Sequence, residues 1–172
     1  LVVISAHDPQ QMVVQARECQ KNQMRMVFDV GQQVLALTGD ELKEGLKAAE
    51  VLIVNDYEMG LLVKKTGLSE SEIQETVSVC VVTLGEKGSR VFDSKNANQP
   101  LEIEAVRVKN PVDPTGAGDA FRAGFLYGFV RGSDLKKSAQ LGSTVATFAL
   151  ENHGTQEHSF TWKTIQNRYE RQ

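Results

Sequence analysis

Short apolar runs along the chain alternate with amphipathic stretches of helical period, the pattern of strands separated by helices. Leu1 to Ser5 reads as an apolar strand buried between neighbours. Asp8 then caps and Pro9 opens a helix over 9–21, with Met12, Val13, Ala16 and Cys19 on its inward face. Met24 to Asp29 is a compact run of the kind buried on both faces of a sheet, and Gly31-Gln32-Gln33 forms a loop at its C-terminal end. Thr38 to Glu41 has capping-box spacing for a helix from 39 or 40 to 49, with Leu42, Leu46 and Ala49 inward. Val51 to Val54 is the next strand, and Asn55-Asp56-Tyr57-Glu58 opens a helix that stops near Gly67. A second capping box at Ser69 to Glu72 begins a short helix leading to the strand Val79 to Leu84.

In the second half, Gly85 to Gly88 is a turn joining that strand to Ser89-Arg90-Val91-Phe92 as a hairpin. Asp93 to Pro100 is another turn, and Leu101 to Val108 alternates like a half-exposed strand. Helices follow at 118–131 and 134–150, split by Gly132-Ser133, and a last amphipathic helix covers Thr161 to Tyr169. Phe121, Phe125 and Phe129 recur at i, i+4, as do Ala120, Gly124 and Gly128, and both stripes read as core packing. The alternation predicts an α/β fold with a largely parallel, doubly wound sheet covered by helices on both faces. No repeat, low-complexity tract or linker interrupts it.

Composition narrows the function more than the fold. The 172 residues are 41% hydrophobic and 24% charged, the balance of one globular domain. Net charge is −3 and the basic residues are scattered among acids, so a nucleic-acid partner is not expected. Apolar stretches such as Val77 to Leu84 fall far short of the ~20 residues of a membrane helix, so no membrane partner is expected either. Cys19 and Cys80 lack metal-type spacing and no secretory leader is visible, which points to reduced thiols and a cytoplasmic location.

The chemistry concentrates in Pro111-Val112-Asp113-Pro114-Thr115-Gly116-Ala117-Gly118-Asp119-Ala120-Phe121. Two prolines break any strand, the Gly116-Ala117-Gly118 turn aims amides at one point, and an amphipathic helix begins at Asp119. Free amides and the helix dipole make a seat for an anion such as phosphate. A carboxylate there repels a phosphate unless the two react together. Asp119 is therefore either a simple first-turn helix acid or a base beside a transferable phosphoryl group.

Asp113-Pro-Thr-Gly-Ala-Gly-Asp-Ala-Phe121 closely resembles the C-terminal signature of the PfkB (ribokinase-like) carbohydrate and nucleoside kinases, and within that family looks most like bacterial adenosine kinases. The resemblance implies a ribokinase-like fold, with Asp119 as catalytic base and Gly116, Ala117 and Gly118 as the anion hole. Asn55-x-x-Glu58 matches the family's Asn-x-x-Glu motif, which organises Mg²⁺, water and phosphate; the alternative is that Asn55 only caps a helix. Thr83-Leu-Gly85-Glu-Lys-Gly88 resembles the Thr-x-Gly-x-x-Gly segment that meets ATP, though a hairpin turn needs glycine as much. Asp29-Val-Gly-Gln32-Gln33 resembles the segment whose glutamines face the nucleoside, or is an exposed polar loop. Asp113 corresponds to the residue that helps hold a monovalent cation, K⁺ being the ion considered, with turn-capping as the simpler role. Arg122 can reach a phosphate from the first helical turn or lie on the surface.

The resemblance implies residues 1–172 to be the C-terminal portion of a single ribokinase-like kinase domain, without the family's N-terminal part, its Gly-Gly motif and its small β lid. The expected reaction moves the γ-phosphoryl of Mg·ATP to a primary hydroxyl of a nucleoside, adenosine first. A sugar such as that of a ribokinase or fructokinase is the second acceptor, and a homodimer is admitted. These residues alone are expected to be inactive, and the rival from another class is a non-catalytic nucleotide-binding fragment. A dehydrogenase and a P-loop ATPase are disfavoured by the absence of Gly-x-Gly-x-x-Gly after a strand and of Gly-x-x-x-x-Gly-Lys-Ser/Thr.

Overall fold

The computed structural model describes residues 1–96 and 99–170. Among them, β1 (Val2–Ile4), α1 (Pro9–Lys21), β2 (Met26–Phe28), α2 (Gly39–Ala48), β3 (Val51–Asn55), α3 (Asp56–Thr66), α4 (Glu70–Thr76), β4 (Val79–Thr83), β5 (Ser89–Asp93), β6 (Leu101–Ile103), α5 (Ala117–Val130), α6 (Leu135–Leu150) and α7 (Trp162–Tyr169) follow in order. The strands lie in one sheet in chain order, β1 to β6, with β1 to β4 parallel. The chain divides into two compact units, Leu1–Leu84 with Arg90–Leu101, and Gly85–Ser89 with Glu102–Gln172.

In the first unit, local chemistry sets the helix boundaries. The Asp8 side chain accepts from the Gln11 amide with Pro9 behind it, capping boxes at Thr38, Asn55 and Ser69 open α2, α3 and α4, and Gly67 ends α3 in a left-handed conformation. β2 is buried throughout, and β3 and β4 are buried up to their last residues, as a doubly covered sheet requires. Parallel strands in chain order bring successive helices to neighbouring places, and α1 meets α2, α2 meets α3 and α3 meets α4. Phe28, Leu42, Leu46, Leu52, Leu62 and Ile73 anchor the core between them. Each such side chain contributes about 1.5–3 kcal/mol. The exposed pairs Arg17–Glu44 and Arg25–Glu50 contribute ~0–1 kcal/mol each, so apolar burial holds this unit. β1 lies at the end of the sheet order among the described residues and pairs with β2, and Val3 is 44% exposed. Cys19 and Cys80 are buried and unbridged.

The second unit is built on α5 and α6, which approach to backbone distance. A Cβ on Gly124 would lie 2.8 Å from the Leu141 carbonyl oxygen, and one on Gly142 would lie 2.8 Å from the Phe121 carbonyl oxygen. Phe121, Phe125 and Phe129 stack along α5 at 6.4 and 5.9 Å between ring centroids, as the stripe in the sequence predicts. α5 also leaves Tyr127 and Val130 exposed, so it is apolar around more of its circumference than the expected amphipathic pattern. α7 docks through Ile165, and Arg168 donates to Thr147 Oγ1 at 2.5 Å and to Glu151 at 3.0 Å while lying over the Phe148 ring.

Two sequence expectations shift. The strand expected over 101–108 ends at Ile103, and the backbone at Gly88 passes close beside it: a Cβ on Gly88 would sit 1.9 Å from the Ile103 carbonyl oxygen and 2.8 Å from the Ala105 nitrogen. The turn expected over 93–100 begins as a 3₁₀ turn at Ser94–Asn96, and residues 97 and 98 lie outside the described residues. Among the described residues, no helix is long and apolar enough to cross a membrane.

Candidate active site

In the first unit the singled-out residues sit at the carboxyl ends of parallel strands, the edge where open α/β sheets bind ligands. Asn55 ends β3 and faces Thr83, the last residue of β4, in the sheet register. Asn55 Oδ1 accepts from the Glu58 amide at 2.8 Å and Glu58 Oε2 accepts from the Asn55 amide at 2.9 Å, so the helix-capping role weighed from sequence is present in full. The Thr83 hydroxyl donates to the Val54 carbonyl at 3.5 Å. After β2, Gln32 and Gln33 lie in a 3₁₀ turn over Gly31–Leu35 rather than an open loop, with Gln32 exposed and Gln33 half-buried. Gly31 lets that turn press on the end of β1, since a Cβ there would lie 2.8 Å from Ala6 Cβ. Next to it, the buried Asp29 accepts from the Ser5 hydroxyl at 2.7 Å.

In the second unit the start of α5 is built differently. Gly116, the residue before the helix, is left-handed at φ 81 and supplies no side-chain cap. The Ala117 amide donates back to the Pro114 carbonyl at 3.1 Å, so one of the three expected anion-hole amides closes the turn. Gly118 adopts a helical conformation open to any residue, yet a Cβ there would have no heavy atom within 4 Å. Open space therefore stands over the first turn of α5, where helix geometry leaves amides without intrahelical acceptors. Asp119 projects beside it, 69% exposed, and its Oδ1 lies 3.1 Å from Nη1 of Arg122, which is 18% exposed. The guanidinium weighed from sequence as a phosphate contact thus faces the carboxylate.

Asp113 shapes this turn. Its Oδ1 accepts from the Thr115 amide and its Oδ2 from the Gly154 amide, both at 2.9 Å. The Thr115 side chain first, then the Gly154 and Thr115 amides, hold the carboxyl down at about 2. The clasp seats Gly154-Thr155 against the turn at Gly116: a Cβ on Gly116 would lie 3.0 Å from Thr155 Cα. Nothing local in the sequence around Gly154 predicts a bond reaching back 41 residues. Of the two turn glycines, Gly88 is accounted for by its contact with 103–105, while Gly85, at φ 59, has open space around it.

The donor chemistry separates the two cations. A carboxylate and an amide on one helix start suit Mg²⁺, which keeps several waters and takes few protein ligands. Among the described residues, no three His, Cys, Asp or Glu side chains cluster as a complete cage, so the fit is to a hydrated ion carried on phosphates. Asp113 accepts from a backbone amide with each of its oxygens, the pattern of a loop clasp.

The pfkB family carbohydrate kinase model matches residues 1–162. The chain belongs to the pfkB family. This family member is 30% identical over 171 residues to a nucleoside kinase of Methanocaldococcus jannaschii, covering 99% of this chain and 55% of that protein. The solved structure of that kinase, an archaeal member of the ribokinase family, matches with a TM-score of 0.92 over 99% of this chain and 56% of its own. Burkholderia thailandensis nucleoside kinase in complex with inosine matches at 33% identity with a TM-score of 0.94, over 98% of this chain and 56% of that one. The fold is ribokinase-like, and the pfkB chain spans about half the length of the relatives it matches.

Proposed function

We propose that residues 1–172 are the C-terminal portion of a single ribokinase-like kinase domain that transfers the γ-phosphoryl group of ATP to a primary hydroxyl of a nucleoside. The observation that carries this reading is the start of α5: a left-handed Gly116, open space over Gly118 and an exposed Asp119 carboxylate in one turn. Asp119 takes the acceptor hydroxyl proton as that oxygen bonds to the γ-phosphorus. The bond from that phosphorus to the β–γ bridging oxygen breaks, and ADP leaves with the electron pair. The Gly116 and Gly118 amides receive the transferred group, with Ala117 holding the turn between them, and Thr83, Gly85 and Gly88 meet the nucleotide. Mg²⁺, when bound, neutralises charge on the phosphates, and Asn55 and Glu58 hold its water shell.

A nucleoside acceptor draws support from the nucleoside kinases among the relatives and from the inosine held by the Burkholderia thailandensis protein. Gln32 and Gln33 carry amides that donate and accept at once, which suits a purine edge, and adenosine is the leading acceptor. The family's description as carbohydrate kinases keeps a simple sugar as the second reading. The decisive experiment is Asp119→Asn in the intact protein, expected to lower kcat by ~10²–10⁴ while ATP affinity stays within a few-fold. Near-normal turnover of that variant removes Asp119 from the mechanism.

A further inference from the structure

We infer that Arg122 is the positioning residue of Asp119, holding one carboxylate oxygen so that the other faces the acceptor hydroxyl; this rests on the reading of Asp119 as the base. The two groups differ in how they are held. Asp119 is 69% exposed on the first turn of α5, whereas Arg122 is 18% exposed, with its stem laid into the unit. A short exposed side chain with two rotors samples several orientations in water. A guanidinium whose stem is already packed has little freedom left to lose, and at 3.1 Å it fixes Oδ1. Residues three apart on a helix share a face, so the pair forms without bending the backbone.

The pairing also answers an electrostatic difficulty of the site. A carboxylate beside a polyanionic phosphate chain repels it, and the repulsion grows as water is excluded. Arg122 places its positive charge against the carboxylate, on the helix just inward of the turn that receives the anion. Oδ2 stays available for the proton while the net charge met by the phosphate falls. A guanidinium does this better than an ammonium, because its planar donors fix direction as well as charge.

The test is steady-state kinetics of the intact protein with Arg122→Met, Arg122→Lys, Asp119→Asn and the Asp119→Asn/Arg122→Met double variant. Arg122→Met is expected to lower kcat roughly 10- to 100-fold, the scale of a misplaced catalytic group, with KM for ATP within about twofold. Arg122→Lys should recover part of the loss, and Arg122→Met should cost nothing further once Asp119 is Asn. A raised KM for ATP at unchanged kcat overturns the inference in favour of a phosphate contact. Equal fold-losses with and without the Asp119 carboxylate overturn it too. If Arg122→Met fails to fold, Arg122→Lys in both backgrounds decides by the same additivity, with thermal melts as the check on structure. Should Asp119→Asn cost about 10² or more while Arg122→Met leaves kcat unchanged, only the positioning role falls. Should Asp119→Asn turn over normally, the base reading falls first.

Discussion

Helices α3 and α5 both begin with residues that chemistry would choose, yet they fill their N-termini in opposite ways. At α3, Asn55 and Glu58 satisfy each other's amides at 2.8 and 2.9 Å, and the helix start is closed by its own side chains. At α5, Gly116 offers no side chain and Gly118 leaves its surroundings empty within 4 Å. A closed start is a rigid platform whose remaining polar atoms can order water. An open one keeps its amides and dipole for something brought from outside. The same device thus yields a self-capped element in one unit and, in the function proposed above, an anion seat in the other.

The difference breaks most visibly at Gly118. Gly118→Leu is expected to leave the unfolding midpoint unchanged or raised, because the backbone is helical and leucine is favoured over glycine by about 0.8–1 kcal/mol. Turnover should fall by about 10²-fold or more, because the leucine side chain fills the open space in which the transferred group would sit and displaces it. Wild-type turnover would make the open space incidental. Replacing Gln32 and Gln33 together by Leu should be next in size: kcat/KM for adenosine drops by roughly 10- to 100-fold, and for ribose by far less. Equal responses from nucleoside and sugar would favour a sugar acceptor.

At the closed start, Asn55→Ala should cost about 1 kcal/mol in chemical denaturation, as capping residues do, and raise the Mg²⁺ needed for half-maximal rate. An unchanged Mg²⁺ titration would reduce Asn55 to its cap. The smallest effect concerns Asp113, whose folded pKa of about 2 lies below the ordinary 3.8. A depressed carboxylate pKa stabilises the fold above the unfolded value and loses that contribution as pH falls through the folded one. Acid unfolding between pH ~4 and ~2 should therefore flatten in Asp113→Asn, measured by circular dichroism against the parent protein.

What could be read in the sequence was what is written locally. Asp8-Pro9, the boxes at Thr38, Asn55 and Ser69, and Gly67 each act within a few residues, and the structure has a helix boundary at every one. The β3 and β4 runs are equally plain because a strand buried on both faces has no polar positions to confuse its pattern. β6 misled because alternation continues past Ile103 and no residue beside it marks the end of the strand. At the candidate site the residue types were legible but their partners were not. The Asp113 bond to Gly154 depends on α5 and α6 folding back on each other, and the direction of the Arg122 guanidinium depends on packing around α5.

The seam between α5 and α6 bears on how inherited or engineered variation in this chain should be weighed. Gly142 lies mid-helix among Ser, Thr, Ala and Leu, carries no charge and belongs to no motif, so a change to alanine there looks harmless. Its missing methyl, however, is the room taken by the Phe121 carbonyl, two residues along from Asp119. A single added carbon would push apart two backbones that have no flexible atoms to yield, tilting the turn that carries the carboxylate. Variant scoring by chemical similarity would pass Gly142→Ala as benign; scoring by clearance would rank it with damage to the reactive group itself.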